Sequence, residues 1–302
     1  MPVLQEIALL LLWLYLVAQV GVVVVWLIHH HYARQGMPGL LAQRWSLLDL
    51  WLGLHLVLLL TFGALLVMGA LVSTALLFFS PSRLYALWRA GYTGDTTPAL
   101  FWAGILSVLL MQSAAFAAVA IWYTLVKYRQ DTAEVGLSWR WEALRQGALW
   151  GVMAFPIALL LDLLSSQALR LLLGSAAFQR LSEWERQTVS LEAQLGSLPP
   201  GVLMIAFMFV VAVAAPVGEE LFFRGFVFNV LRYRLRFRLA MWLSATLFAL
   251  MHVSLQSFVP ILATGVLLAW LYERTGSLWS SVAMHATFNL LSATAAILWG
   301  GQ

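Results

Sequence analysis

The sequence predicts an all-α, polytopic transmembrane helix bundle with about eight membrane-spanning helices. Of its 302 residues, 62% are hydrophobic and only 10% are charged, whereas a soluble globular domain carries about 25% charged residues. The chain contains no cysteine, which excludes disulfides, thiolate nucleophiles and cysteine metal sites. These observations predict a multi-pass protein of the cell membrane, with the lipid bilayer as its surroundings.

Eight apolar segments account for the predicted helices. In chain order they cover residues 7–28, 51–77, 99–126, 147–169, 202–230, 239–253, 258–272 and 278–299. The first is predicted to be a retained span rather than a cleaved signal peptide, because no Lys or Arg precedes Arg34. Residues 175–198 form the longest polar stretch and are predicted to be an amphipathic or loop excursion.

The distribution of Lys and Arg predicts the orientation of the bundle. With eight spans and the N-terminus outside, eleven basic residues fall in inside loops and five in outside loops. Basic residues favour the cytoplasmic side, so the turn at 232–238, with its four arginines, is placed in the cytoplasm. The net charge of +4 is small for this length, and we interpret it as a topology signal. No nucleic-acid partner is predicted.

Charged residues inside the fifth span are the strongest functional signal. Each charge near the middle of a membrane helix costs about 2.5–3.5 kcal/mol on insertion scales, so such residues are rarely without a role. Glu220 and Arg224 are four residues apart, in the order that favours an ion pair along one helix face. Glu219 points about 100° away and is predicted to be the free carboxylate. Pro216 and Gly218 are expected to bend or loosen the helix.

Two further polar pairs lie on later spans. Phe248 and His252 are one turn apart on the sixth span, and His285 and Asn289 are one turn apart on the eighth. At this spacing the members of each pair share a helix face. Histidine and asparagine also commonly join membrane helices by hydrogen bonds, so a purely structural role for each is an alternative.

Distances along the helices predict that these groups lie at similar depth. Glu219 is about thirteen residues before the basic turn and His252 about fourteen after it, which is roughly 20 Å for both. His285 and Asn289 are about eight and twelve residues beyond the 273–277 turn, or roughly 12–18 Å. We therefore expect one site, in a cavity that opens toward the cytoplasm. Asp162, a lone acid near the end of the fourth span, is a weaker candidate.

This set of side chains fits amide hydrolysis without a covalent intermediate. A carboxylate beside a histidine can hold and deprotonate a water, while a second His and an Asn amide can stabilise an oxyanion. Neither the G-x-S-x-G context of a serine nucleophile nor the zinc motif H-E-x-x-H occurs. No organic cofactor is predicted. Two His and one Glu could still hold a divalent metal such as zinc, and that alternative stays open.

At these residues the chain resembles the CPBP family of intramembrane proteases, which includes CAAX proteases and bacteriocin-processing enzymes and is also called the ABI family. The family pattern is E-E-x-x-x-R, then F-x-x-x-H, then H-x-x-x-N. It is present here in the same order, from Glu219 to Arg224, Phe248 to His252, and His285 to Asn289. The resemblance covers about residues 199–295.

The resemblance implies a role for each of these residues. Glu219 would be the general base, and His252 would bind the water with it. Glu220 and Arg224 would support the site, as would Phe248 as part of the second motif. His285 and Asn289 would form the oxyanion site. Residues 131–302 would then be a protease core of spans four to eight, after N-terminal spans in 1–130 of unassigned role.

The implied substrate is a peptide or membrane protein, with or without a lipid, since the eukaryotic family members cleave the tripeptide after a prenylated cysteine. Two other hypotheses are kept. One is a non-catalytic bacteriocin-immunity or scaffold protein. The other is a proton-coupled transporter, which the crowding of polar residues into the last third of the chain disfavours. The sequence leaves the oligomeric state undetermined.

Overall fold

The computed structural model describes residues 46–78, 98–188 and 201–299, and the regular structure in these residues is helical throughout. The all-α prediction is confirmed for this part of the chain. The predicted span 7–28 lies outside the described residues, and so does the second half of the excursion. The described helices are α1 (Leu47–Phe78), α2 (Pro98–Ile121), α3 (Trp141–Leu173), α4 (Ser175–Thr188), α5 (Val202–Arg234), α6 (Phe237–Met251), α7 (Phe258–Thr275) and α8 (Leu278–Trp299).

Four stretches in the described ranges are long and apolar enough to cross a membrane: Gly104–Lys127, Trp141–Leu173, Val202–Arg234 and Leu278–Leu298. The protein is therefore a multi-pass helical membrane protein. Helix α6 has 15 residues, or about 22 Å, which is less than the roughly 30 Å of a hydrocarbon core. The count of eight crossings stays a prediction.

Helix α3 packs against α8 through small residues. A Cβ atom at Gly147 would overlap the carbonyl oxygen of Ser280, and one at Gly151 would lie 2.6 Å from the carbonyl oxygen of Met284. Glycines at this four-residue spacing let two helix backbones approach closely. This contact fixes α8, which carries His285, directly against α3.

The remaining faces of α3 carry large apolar side chains that are exposed in the isolated chain. Lipid is the medium that suits such a surface, since exposed apolar patches of this extent are rare in soluble monomers. The large apolar side chains exposed on α3 are Trp141, Leu149, Val152, Met153, Ile157, Leu159, Leu160, Leu163, Leu164, Leu171, Leu172 and Leu173.

The segment between α2 and α3 closes the end of the bundle that carries the basic turn. The backbone N–H of Leu278 donates to the carbonyl of Gly136 (2.8 Å), and the indole of Trp279 donates to that of Leu137 (2.9 Å). The Tyr272 hydroxyl donates to the carbonyl of Val135 (3.0 Å). Gly136 has a φ of +79°, a conformation that favours glycine. These bonds fix the turn between α7 and α8.

Helix α1 shares one hydrophobic core with the later helices, because Leu50 and Leu54 pack in the same cluster as Phe226. Its buried Asp49 is paired with Lys127 and accepts a 2.7 Å hydrogen bond from the Tyr128 hydroxyl. Burial and this bond raise the pKa of Tyr128 far above its usual value. The predicted functional division at residue 130 therefore crosses a continuous core, and it stays a prediction about roles.

Candidate active site

The acid motif lies on a helix of changing pitch. Helix α5 is α-helical over Ala215–Glu220 and π-helical over Val210–Ala214 and Leu221–Phe228. Pro216 has no N–H to donate to the turn before it, and one π-helical segment occupies that turn. Sequence reasoning predicted loosening at this point but missed the second segment. Short π-helical insertions are rare and are frequent at functional sites.

Gly218 fixes the position of the motif against α2. A Cβ atom at this position would lie 2.5 Å from the carbonyl oxygen of Ser113, closer than real Cβ atoms approach an oxygen. The helix that carries Glu219 and Glu220 is therefore held at backbone contact distance from its neighbour.

The predicted ion pair between Glu220 and Arg224 is confirmed. Arg224 Nη1 lies 2.9 Å from Glu220 Oε1, and both side chains are completely buried. Arg224 also donates from Nη2 to the carbonyl of Gly265 on α7 (3.1 Å). Its guanidinium carbon lies 4.5 Å from the centroid of the Phe248 ring, within the range of a cation–π interaction. The pair thus joins α5, α6 and α7.

His285 lies between the two acids. Its Nδ1 is 2.8 Å from Glu220 Oε1, and its Nε2 is 3.9 Å from Glu219 Oε2. An ionised carboxylate only accepts hydrogen bonds, so Nδ1 carries the proton. In a neutral ring, Nε2 is then an acceptor that faces Glu219. The 3.9 Å distance is too long for a direct hydrogen bond and is one that a water molecule can bridge.

The ring of Phe248 lies beside both predicted histidines. Its centroid is 4.6 Å from that of His252 and 5.6 Å from that of His285. His252 donates from Nδ1 to the carbonyl of Phe248 (2.8 Å), which leaves Nε2 of the neutral ring unprotonated. The structure therefore places both histidines beside one aromatic side chain, and Glu219 lies next to one of them, His285. No direct contact between His252 and Glu219 occurs among the described residues.

The predicted sixth span, 239–253, extends two residues beyond the C-terminal end of helix α6. Helix α6 stops at Met251, and His252 caps it instead of lying within it. The reason is Val253, whose φ of 55° is a left-handed conformation that cannot continue an α-helix and that β-branched residues rarely adopt. His252 is thus followed directly by a strained residue.

Asn289 hydrogen-bonds the backbone of a neighbouring helix. Its Nδ2 donates to the backbone carbonyl of Val211 (3.1 Å), in the first π-helical segment of α5. This bond joins α8 to α5 one turn after His285. An oxyanion role for Asn289 together with His285 stays a prediction.

Sequence reasoning missed Glu185, which belongs to a second polar cluster. The predicted excursion is helical over Ser175–Thr188, and its Glu185 is buried against the loop that follows His252. Ser257 on that loop donates to Asp162 Oδ1 (3.2 Å), so Asp162 belongs to this cluster and not to the acid site. A signal was present, because Glu185 follows Ser182 and Leu181 by three and four residues and shares their helix face.

Metal binding was left open by the sequence. Across the described ranges, no three His, Asp or Glu side chains are grouped as metal ligands would be. A depression of about 280 Å³ lies near the basic turn, lined by Gln130, Glu134, Asn229, Arg232 and Tyr233. It contains none of the predicted site residues.

The fold and the geometry of the site define a class of protein: a helical membrane protein with a buried site of acids, a histidine and an arginine. Residues 201–291 match the family model described as type II CAAX prenyl endopeptidase Rce1-like. The resemblance to CPBP intramembrane proteases is thereby confirmed for this part of the chain. The matched residues include all residues of the three motifs, from Glu219 to Asn289.

Two curated proteins are similar to part of the chain. The "UPF0177 protein YxdF" of Lactococcus lactis subsp. lactis (strain IL1403) is 26% identical over 102 residues, 33% of this chain and 54% of that protein. The "Putative membrane peptidase YdiL" of Bacillus subtilis (strain 168) is 29% identical over 104 residues, 34% of this chain and 41% of that protein. The chain thus spans about half the length of the curated relatives it matches. No solved structure matches it.

Proposed function

We propose that the protein is an intramembrane endopeptidase in which Glu219 activates a water molecule. One observation carries the proposal. Glu219 Oε2 is buried without a hydrogen-bond partner among the described residues, and it faces His285 Nε2 at 3.9 Å. Glu220 Oε2 is likewise without a partner in the described residues, but Glu220 differs in its other oxygen, because Oε1 pairs with Arg224 and accepts from His285 Nδ1. One carboxylate is thus kept free while the other holds the histidine.

The proposed reaction begins with a water bound between Glu219 and His285. Glu219 takes a proton from this water as its oxygen bonds to the scissile carbonyl carbon, and a tetrahedral oxyanion forms. The protonated Glu219 then gives its proton to the leaving nitrogen as the C–N bond breaks. His285 accepts the second hydrogen bond of the water at Nε2, because Glu220 holds the proton on Nδ1. In this proposal His285 therefore takes the water-binding role that was predicted for His252, in place of its predicted oxyanion role.

Charge on the oxyanion needs hydrogen-bond donors. The candidate is the Asn289 amide, after it leaves Val211 or through its second N–H. A donor aimed at the oxyanion contributes typically 10²–10³ in rate. Removing the amide with Asn289→Leu should therefore lower the rate of the chemical step far more than it changes substrate binding.

The substrate class follows from the family match and from the printed name of the Bacillus relative. Both support a peptide or membrane protein as substrate, with a lipidated C-terminus as the first chemistry to test. The basic turn at 232–238 is proposed to face the cytoplasm, with the N-terminus outside and the site open to the cytoplasm. Residues 131–302 are proposed to be the catalytic unit.

Mass spectrometry of cleavage products tests the proposal. The purified protein and its Glu219→Gln variant are incubated with a farnesylated CAAX peptide and with a mixed peptide library. We expect products from the wild type alone. Glu273→Gln is the matched control, since it removes a partly exposed acid that pairs with Arg232 at the far turn, and it should cleave as the wild type does.

A chelator added to the same reaction tests the metal alternative. Cleavage that survives the chelator supports a glutamate-activated water, and cleavage that is lost and restored by zinc indicates a metal. Products from Glu219→Gln at the wild-type rate would contradict the assignment of the base. A phenotype in cells that persists in Glu219→Gln would favour the immunity or scaffold hypothesis.

A further inference from the structure

One buried carboxylate makes more hydrogen bonds than any other described side chain to the loop between α6 and α7, residues 252–257, which also bonds to Asp162, Ser165 and Ser182. Glu185 on α4 accepts hydrogen bonds from the Ser254 hydroxyl (2.8 Å) and the Leu255 backbone N–H (2.7 Å). It also accepts two from Gln256, from the backbone N–H at 3.4 Å and from Nε2 at 3.2 Å. The residue is only 5% exposed. Four hydrogen bonds satisfy this buried charge and place it against one short stretch of backbone.

The stretch that Glu185 binds begins directly after a strained residue. Val253 has a φ of 55°, in the left-handed region that β-branched residues avoid. Strained conformations of this kind persist only where the surroundings over-determine them. The surroundings here include the Glu185 hydrogen bonds to the residues that follow and, on the other side, His252, whose Nδ1 is bonded to Phe248. The Val253 N–H itself donates to the carbonyl of Leu250 (3.2 Å). The strain therefore lies between the buried carboxylate and a predicted catalytic histidine.

The rest of α4 makes this contact specific. Ser182, one turn before Glu185, donates to Oε1 of Gln256 (3.0 Å), so the helix binds the loop at two points. The adjacent face, about 100° round the helix, is different: Arg186 forms an exposed bidentate pair with Glu183 within α4 itself. The amphipathic helix thus presents one polar residue pair to the loop and another to solvent or lipid headgroups.

The geometry points to Glu185 as a positioning residue for His252, acting through the hydrogen bonds that keep Val253 in its left-handed conformation. Without those bonds Val253 relaxes to an unstrained φ, and His252 turns away from Phe248 and the acid site. The inference rests on the proposed function for its effect on catalysis. The effect of Glu185 on the position of His252 does not depend on the proposed function, and it can be observed without any substrate.

Nuclear magnetic resonance of the histidine side chains tests the inference directly. The chain has six histidines, so labelled imidazole signals in detergent micelles can be resolved and assigned with His252→Gln and His285→Gln. We expect Glu185→Ala and the isosteric Glu185→Gln to shift the His252 signal and to leave that of His285 in place. The matched control is Glu183→Gln on the exposed face of α4, which should leave both signals in place.

A second substitution separates positioning from a general structural role. Glycine adopts a left-handed φ without strain, so Val253→Gly removes the need for the Glu185 bonds. We expect Glu185→Gln/Val253→Gly to return the His252 signal toward its wild-type position. In a cleavage assay, Glu185→Gln should lower kcat about 100-fold, the size of effect that a misplacement near 1 Å produces. KM should change little, and the double variant should recover most of kcat.

The outcomes separate a failure of the positioning role of Glu185 from a failure of the proposed function. An unchanged His252 signal in both Glu185 variants would overturn the inference, and so would a double variant that stays as impaired as Glu185→Gln. If the wild type cleaves nothing while the His252 signal follows Glu185 and Val253, the positioning holds and the proposed function fails. If Glu185→Ala does not fold, the His252 signals of Glu185→Gln and of Glu185→Gln/Val253→Gly decide whether the inference holds.

Discussion

At the scale of single residues, the two adjacent glutamates have opposite surroundings. Glu220 binds Arg224 and His285 through Oε1 and has no exposed side-chain surface, whereas Glu219 forms no such pair with a cation in the described part of the chain and keeps 19% of its side-chain surface exposed. The 100° step between consecutive helical residues accounts for this difference. Glu220 pairs with Arg224 and with His285 on α8, whereas Glu219 lies 3.9 Å from the other nitrogen of the same histidine and has no paired cation in the ranges that the structure describes.

The buried pair gives the first prediction. Arg224→Met keeps much of the side-chain volume but leaves the Glu220 charge buried with only His285 beside it. Removing one partner of a buried ion pair costs about 3–5 kcal/mol, so we expect a marked fall in the thermal unfolding midpoint in detergent micelles. The control is Arg232→Met, which breaks a partly exposed pair with Glu273 and should cost about 0–1 kcal/mol. Equal effects of the two substitutions would contradict the account.

Much of the site at this scale could be predicted from the sequence, and the reason is periodicity. The spacing of four between Glu220 and Arg224 decides their contact, and a charge pair in an apolar run has few other partners. The hydrogen bond from His285 to Glu220 could not be predicted, because it depends on the rotation of α8 about its own axis. The Asn289 bond to Val211 could not be predicted either, since it uses a carbonyl in a π-helical segment.

At the scale of helices, close approach at glycine decides where the site residues lie. Gly218 on α5 touches the backbone of Ser113 on α2, and Gly147 and Gly151 on α3 touch that of α8. Long apolar runs predicted that these helices exist, but not which faces meet. The small residues were visible in the sequence, yet an apolar run contains many such residues and only some lie at contacts.

Gly218→Ala gives the second prediction. A methyl group at this position must push α5 away from α2, at a cost typical of overpacking, about 1–3 kcal/mol. Because Glu219 is the next residue, we expect the cleavage rate to fall as well, and both effects are measured on the same purified variant. Gly104→Ala on α2 is the matched control, since a Cβ atom there meets nothing within 4 Å. Wild-type stability and activity for Gly218→Ala would be incompatible with the packing described.

The helix ends were the least predictable part of the fold. The apolar pattern continues to residue 253, two residues beyond the end of α6. The left-handed φ of Val253 ends the helix, and hydropathy could not predict it because it is imposed by tertiary contacts. Helix α4 was expected only as an amphipathic or loop excursion. Its contact with the 252–257 loop depends on folding the fourth and sixth spans together.

At the scale of the whole molecule, the sequence predicts an orientation that the absence of cysteine makes easy to test. Single cysteines are introduced at two exposed positions, Glu183→Cys on α4 and Arg236→Cys in the basic turn. A membrane-impermeant maleimide should label the first in right-side-out vesicles and the second only after permeabilisation, because basic loops favour the cytoplasm. The reverse labelling pattern would mean that the bundle has the opposite orientation in the membrane. Labelling of both cysteines from the same side would contradict the odd number of membrane crossings between residues 183 and 236.

The central claim is that Glu219 supplies the base for peptide-bond hydrolysis. The most direct measurement is kcat/KM of the wild type, Glu219→Gln and Glu273→Gln on the best substrate from the product screen, in lipid nanodiscs. General base catalysis contributes about 10²–10⁴ in rate, so the account predicts a loss of that size for Glu219→Gln and none for Glu273→Gln, with both variants folded. A Glu219→Gln rate within a few-fold of the wild type would contradict it.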